Sequence, residues 1–123
     1  MGRLVLDASA VIAYFRQETG HEVVAAAWES DCRMSAAQWA EVAAAYCEEP
    51  SGWSMVSALL THFGVTVEPV LAADGARAGL MRRTHPSLSL GDRLCLATAE
   101  RLEAEVLTAD RAWGNQAPIR QIR

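Results

Sequence analysis

The sequence predicts an α/β domain in which a parallel sheet is covered by helices on both faces. Three observations carry that prediction. Short apolar or β-branched runs, RLVL at 3–6, VTV at 65–67 and EVLT at 105–108, are separated by longer stretches with helical spacing. The first run is apolar at nearly every position, as in a strand buried on both sides. A chain of 123 residues without a linker, internal repeat or low-complexity tract is the size of one domain, so residues 1–123 are expected to form a single unit.

The elements follow in order. The first strand ends at Asp7, and Ala8 to Arg16 then carries Val11, Ile12 and Phe15 at helical spacing. Gln17 to Gly20 breaks that helix before a second one at about His21 to Ser30. Arg33-Met34-Ser35 reads as a brief strand, and Ser35 caps a helix from Ala36 to Glu49 whose apolar stripe is Trp39, Val42, Ala43, Tyr46 and Cys47. Pro50 ends it. Ser51 caps a fourth helix to about Phe63, Gly64 closes that helix, and Val65-Thr66-Val67 is a strand. A fifth helix, roughly Ala72 to Thr84, stops ahead of Pro86. A helix from Gly91 to Ala104, the strand at Glu105 to Thr108, a tight turn at Ala109-Asp110 and an edge strand at Ile119 to Ile122 complete the chain.

Composition excludes several classes. A hydrophobic fraction of 51% with 21% charged residues is globular rather than disordered. No apolar run approaches the roughly 20 residues of a membrane helix. Asp7 interrupts the apolar start of the chain and no cleavage signature follows, so neither signal peptide nor anchor is expected and the predicted location is cytoplasmic. Cys32, Cys47 and Cys95, odd in number and set in apolar segments, read as reduced core thiols rather than a disulfide framework or zinc site. A net charge of −4 argues at first against a nucleic-acid partner. Every basic residue is nevertheless arginine, the side chain suited to bidentate phosphate contacts. If four carboxylates were gathered round a cation, the remaining surface would be neutral, so the global charge decides nothing.

Ligands of parallel α/β sheets bind at the carboxyl ends of strands, and two acids belong there. Asp7 ends the first strand. Val106, Thr108 and Asp110 share parity, so Thr108 and Asp110 leave their strand on one side. From pattern alone each aspartate also reads as a turn residue capping the next element. Asp92 has Cys95, Leu96 and Ala99 as helical neighbours, an apolar face on which a carboxylate needs a partner. Its other reading is a first-turn aspartate favoured by the helix dipole, worth roughly 0.3–1 kcal/mol. Glu41 lies between Gln38 and Glu48 on the polar side of its helix, the pattern of a solvated surface residue.

The fragments LVLDASAVIAY, AAQWAEV, SLGDRLCLA and VLTADRAW resemble, in order and spacing, the acidic motifs of PIN-domain ribonucleases, and above all of the VapC-type toxins of bacterial toxin–antitoxin modules. The likeness covers the whole chain. It implies a PIN-like three-layer α/β/α fold with a central parallel sheet of four or five strands, dependence on Mg²⁺ or Mn²⁺, an RNA substrate, a cognate antitoxin and a homodimer. It places the family's metal-binding acids on Asp7, Glu41, Asp92 and Asp110, and its accessory polar positions on Ser9 and Thr108.

Elementary electrostatics agrees with that assignment. Two unit charges about 5 Å apart repel by roughly 3 kcal/mol at an effective dielectric of 20, so four clustered carboxylates cannot all ionise cheaply without a cation. Oxygen ligands favour hard ions such as Mg²⁺ or Mn²⁺, and His21, His62 and His85 form no pair at ligand spacing. The expected chemistry is phosphodiester hydrolysis by metal-activated water. Asp7 and Asp92 are expected as principal ligands, Glu41 and Asp110 as further or water-mediated ones, and Ser9 and Thr108 as orienting hydroxyls.

Arg82, Arg83, His85 and Arg93 bracket Asp92, and Arg111 follows Asp110. They form either a cationic rim for an RNA backbone or an ordinary arginine surface. Asp74 reads as an acid complementing a helix dipole. Trp28, Trp39, Trp53 and Trp113 are expected in the core. On the fourth helix Trp53, Val56, Leu59, Leu60 and Phe63 share a face that Met55 and Ala58 widen, so this helix is either deeply buried or covered by a partner, with Trp53, Met55 and Leu59 as candidate contacts. A phosphoacceptor receiver domain fits poorly, because Asp7 has no adjacent acid and lysine is absent. A non-cleaving PIN-like binding module is separated from a nuclease by a cleavage assay. A PIN nuclease of RNA processing is separated from a toxin by whether an antitoxin-like gene lies immediately upstream.

Overall fold

Strand and helix alternate from the first residues onward in the computed structural model, which describes residues 2–123. The elements are β1 (Arg3–Leu6), α1 (Ala8–Phe15), α2 (His21–Ala27), β2 (Asp31–Ser35), α3 (Ala36–Ala45), α4 (Gly52–His62), β3 (Thr66–Glu68), α5 (Ala72–Leu80), α6 (Leu90–Leu102), β4 (Glu105–Thr108) and β5 (Ile119–Gln121). Single 3₁₀ turns lie at Met81–Arg83 and Arg111–Trp113. The five strands form one sheet in the order β3-β2-β1-β4-β5, with every neighbouring pair parallel.

Strand parity divides the apolar residues between two cores. Leu4 and Leu6 of β1, Cys32 and Met34 of β2 and Leu107 of β4 pack with residues of α1, α2, α3 and α4. Val5, Val106 and Ile119, of opposite parity, pack with α5 and α6. The result is the three-layer α/β/α architecture expected, with five strands. β1 is central: the chain leaves it for β2 and β3 on one side, then crosses to β4 and β5 on the other. The carboxyl ends of β1 and β4 therefore flank the point where strand order reverses.

Several boundaries differ from those read in the sequence. The second helix ends at Ala27 rather than Ser30, and β2 begins at Asp31, because Asp31 and Cys32 already pair with Arg3 and Leu4. α3 stops at Ala45, five residues before Pro50, as Tyr46 turns into the core at 7% exposure. Cys47 falls in the turn beyond and is exposed, unlike the buried Cys32 and Cys95, so only two of the three cysteines are core thiols. Ser35 caps α3, accepting from the Ala37 N–H at 3.2 Å. Ser51 sits at φ +60° and its side chain makes no cap bond to α4. The fifth helix tightens into the 3₁₀ turn after Leu80 and still ends before Pro86. Trp113 is buried, whereas Trp28, Trp39 and Trp53 are half-buried: Trp28 stacks on Phe63 at 4.8 Å, and Trp39 meets Trp53 edge to face at 4.9 Å. Among the described residues no helix is long and apolar enough to cross a membrane.

Candidate active site

The β1–β4 register sets Leu6 beside Leu107, and the Asp7 N–H donates to the Leu107 carbonyl at 2.9 Å. Asp7 and Thr108 thus leave the sheet side by side. The Thr108 hydroxyl donates to Asp7 Oδ2 at 2.7 Å, and the Ser9 hydroxyl, one residue into α1, donates to the same oxygen. The two hydroxyl oxygens are 3.2 Å apart. Ser9 Oγ in turn accepts from the Ala109 N–H at 2.9 Å and Thr108 Oγ1 from the Asp110 N–H at 3.0 Å, which ties the turn after β4 to the Asp7 carboxylate. The sequence placed Asp7, Ser9 and Thr108 together, and they form one network here.

Asp7 is 3% exposed and Thr108 fully buried. Burial pushes the Asp7 carboxyl above its ordinary value. The Ser9 and Thr108 hydroxyls oppose that rise, and the Asp92 charge adds to it. Glu41 is raised as well, first by desolvation and then by the charges of Asp7 and Asp92. Cys95, enclosed beneath the three carboxylates, is pushed well up by burial and by all of them. Asp7, Glu41 and Asp92 therefore share one electrostatic neighbourhood, reached from β1, α3 and α6. Glu41 approaches α6 through a gap at Gly91, where a Cβ would overlap Glu41 Oε1.

Asp92 and Asp110 also carry the local roles that their positions allow. Asp92 completes a capping box with Ser89: its Oδ2 accepts from the Ser89 N–H at 3.1 Å, and Ser89 Oγ accepts from the Asp92 N–H at 3.2 Å. Asp110 is exposed, its Oδ1 accepting from the Ala112 N–H at 2.9 Å, and it is not among the charges that raise Asp7 or Glu41. It adjoins the network through its backbone rather than its carboxylate. Among the described residues no three histidine, cysteine, aspartate or glutamate side chains are already gathered closely enough to hold an ion. Of the arginines, Arg82, Arg83 and Arg111 are exposed, and Arg93 folds back so that its Nε donates to the Ser89 carbonyl at 3.4 Å.

Gln38 went unremarked in the sequence except as a neighbour of Glu41. It is fully buried, its Oε1 accepting from the Ala8 N–H at 2.7 Å and its Nε2 donating to the Gly91 carbonyl at 2.9 Å. Asp74, read as a dipole-complementing acid, is 2% exposed. It accepts from the Leu71 N–H and from Arg101 Nε, at 3.0 and 2.9 Å to the nearer oxygens. A cavity of about 900 Å³ lies along the far half of α6, lined by Met81, Leu96, Ala99, Trp113 and Ile119 among others, and none of the carboxylates above borders it. On α4, Val56 and Leu60 are buried and Trp53 packs on Trp39, which leaves Met55 (63%) and Leu59 (40%) exposed.

The PIN domain family model matches residues 4–117. No curated protein matches the sequence. Among solved structures the chain is similar to a toxin–antitoxin complex from Klebsiella pneumoniae, at TM-score 0.84 and 17% identity, covering 98% of each chain. It is similar at TM-score 0.71 and 12% identity to VapBC2 from Rickettsia felis bound to a DNA fragment from their promoter, covering 97% of this chain and 98% of that one. DNA-bound VapBC from Salmonella typhimurium matches at TM-score 0.71 and 13% identity over the full length of both chains.

Proposed function

The chain belongs to the PIN-domain family, and from that membership and its acidic cleft we propose that it is an Mg²⁺- or Mn²⁺-dependent endoribonuclease acting as the toxin of a toxin–antitoxin pair. One observation carries the reading. Asp7 is 3% exposed yet has no cationic partner among the described residues, while the other deeply buried acid, Asp74, is paired with Arg101. A buried carboxylate without a counter-charge is costly, and here two more carboxylates lie near enough to raise the cost.

The donor set fits a hard divalent cation, since it is all oxygen and lacks any neutralising base. Asp7, Asp92 and Glu41 would hold the ion, with Asp110 reaching it through water. Mg²⁺ or Mn²⁺, when bound, would supply Lewis acidity that makes water a better nucleophile and offsets charge on the leaving oxygen. The chain's own part is orientation. Ser9 and Thr108 both donate to Asp7 Oδ2 and so fix the plane of that carboxylate, while the Ser89 N–H fixes Asp92. Arg82, Arg83, Arg93 and Arg111 would supply positive charge for the phosphates of an RNA strand.

The solved structures named above are toxin–antitoxin complexes, which supports a cognate antitoxin as the natural partner. Met55 and Leu59, too exposed for core residues, suit such a contact, and a homodimer located in the cytoplasm completes the proposal. The test is to induce the protein in cells and sequence the RNA ends that appear. Discrete new ends within minutes, absent for Asp92→Asn, are expected; an unchanged end profile would favour a non-cleaving binding module.

A further inference from the structure

An aspartate at the N-cap of a helix ordinarily turns its carboxylate onto the first-turn N–H groups. Asp7 is the N-cap of α1, but its side chain makes no cap bond, and the Ser9 and Thr108 hydroxyls hold its carboxylate. The Ala8 N–H that opens α1 has no partner within the helix, and it is Gln38 that accepts from it, at 2.7 Å. The other end of the same carboxamide donates to the Gly91 carbonyl at 2.9 Å. Those partners lie 30 and 53 residues away in the chain. Ala8 follows Asp7, Gly91 precedes Asp92, and Gln38 stands one helical turn before Glu41. One fully buried amide therefore ties together the three backbone segments that bear the carboxylates.

We propose that Gln38 is a positioning residue: by bridging the Ala8 N–H and the Gly91 carbonyl it fixes the separation of the Asp7, Glu41 and Asp92 carboxylates, and with it the affinity of the cleft for a divalent cation. The inference rests on the cation-binding reading given above. With both ends of the amide committed, its orientation is set, since the oxygen must face the N–H and the NH₂ the carbonyl. A hydrocarbon of the same volume would fill the space but release both anchors. α1 and α6 would then shift independently, and the carboxylates they carry would lose their common frame. Groups that orient ligands without touching the ion typically change metal affinity by about 10–100-fold when removed.

The experiment is calorimetric titration of the full chain with Mn²⁺ alone, without RNA, for the parent, Gln38→Met, Gln38→Asn and Val42→Ala. Methionine keeps length and volume without either hydrogen bond. Asparagine keeps the amide but is too short to span both partners, and its smaller size gives a second variant should methionine overpack. Val42 is fully buried on the same helix and its hydrocarbon side chain takes no part in either hydrogen bond, so Val42→Ala loosens α3 without removing them. The Gln38 variants should bind Mn²⁺ about 10–100-fold more weakly, while Val42→Ala, though less stable, binds within twofold of the parent. Parent-like affinity in a folded Gln38 variant would overturn the positioning role alone, as would an equal loss in Val42→Ala. A parent that binds no Mn²⁺ would overturn the proposed function and this inference with it.

Discussion

Replacing Asp7 with asparagine removes one charge at nearly constant shape. The asparagine oxygen, standing where Asp7 Oδ2 now lies, still accepts from Thr108 at about the present 2.7 Å and from Ser9, so neither hydroxyl is orphaned. Burial raises the parent's carboxyl. An acid raised in the folded state contributes stability below its unfolded pKa and loses it as pH climbs through the folded one, so at pH 7 the ionised Asp7 is a burden on the cation-free protein. The neutral amide carries no such burden, and without cation Asp7→Asn should melt at or above the parent. Cation reverses the order. A ligand at 100 times its Kd stabilises the form that binds it by about 2.7 kcal/mol. An unfolding entropy of about 2.1 cal/mol/K per residue over 123 residues makes 1 kcal/mol worth about 4 °C, so saturating Mn²⁺ should raise the parent's Tm by roughly 10 °C. Calorimetric melts with and without Mn²⁺ should show no comparable rise in the variant, and RNA cleavage measured in parallel should fall by about 100-fold or more. Equal Mn²⁺-induced rises, or parent-like cleavage, would refute the reasoning.

Gly91→Ala adds a methyl where Glu41 Oε1 now lies. Helix propensity should keep stability level or raise it by up to about 1 kcal/mol, while displacement of Glu41 weakens Mn²⁺ binding; unchanged affinity in a titration would remove Glu41 from the site. For Asp74, burial alone would raise the carboxyl, but the hydrogen bond from Arg101, the Leu71 N–H and the arginine charge together hold it below 3.8. Its stabilisation is therefore complete above that pH and lost as pH falls through the lower folded value. Asp74→Asn should cost about 2 kcal/mol at pH 7, with the gap to the parent narrowing below roughly pH 4; urea unfolding at pH 7 and pH 3 checks this, and a gap that widens in acid would contradict it. Met55→Glu combined with Leu59→Glu should weaken antitoxin capture at least about tenfold at both low and high salt, whereas Asp92→Asn should chiefly reduce its salt dependence. Parent-like capture by the double variant would return this face of α4 to the dimer contact or to solvent.

What was legible in the sequence is what local pattern encodes. RLVL and EVLT announced β1 and β4, whose ends carry Asp7 and Thr108; parity put Thr108 and Asp110 on one side of their strand, and the family resemblance grouped Thr108 with Asp7. Ser35 and Gly64 marked helix ends that the backbone keeps. Tyr46 and Cys47 continued a helical stripe on paper, but the chain turns at Tyr46 to bury its ring, a tertiary preference with no local mark. Gln38 was missed for the same reason, since a glutamine one turn before a glutamate looks like solvated surface until its partners arrive from distant segments. The arginine pairs of Asp74 and Glu68 are likewise long-range. Asp92 and Asp110 show the converse: each does the capping work that its local sequence suggests, and that work neither requires nor forbids a further role toward a cation.

The central claim is that this cleft cuts RNA through a cation held by its carboxylates, and the most direct measurement is cleavage of a defined RNA by the purified protein with Mg²⁺, with Mn²⁺, and in excess chelator. Cleavage should occur with either ion, stop in chelator, return when the ion is restored, and be absent throughout for Asp7→Asn. Cleavage that persists in chelator and copurifies equally with Asp7→Asn and the parent would contradict it.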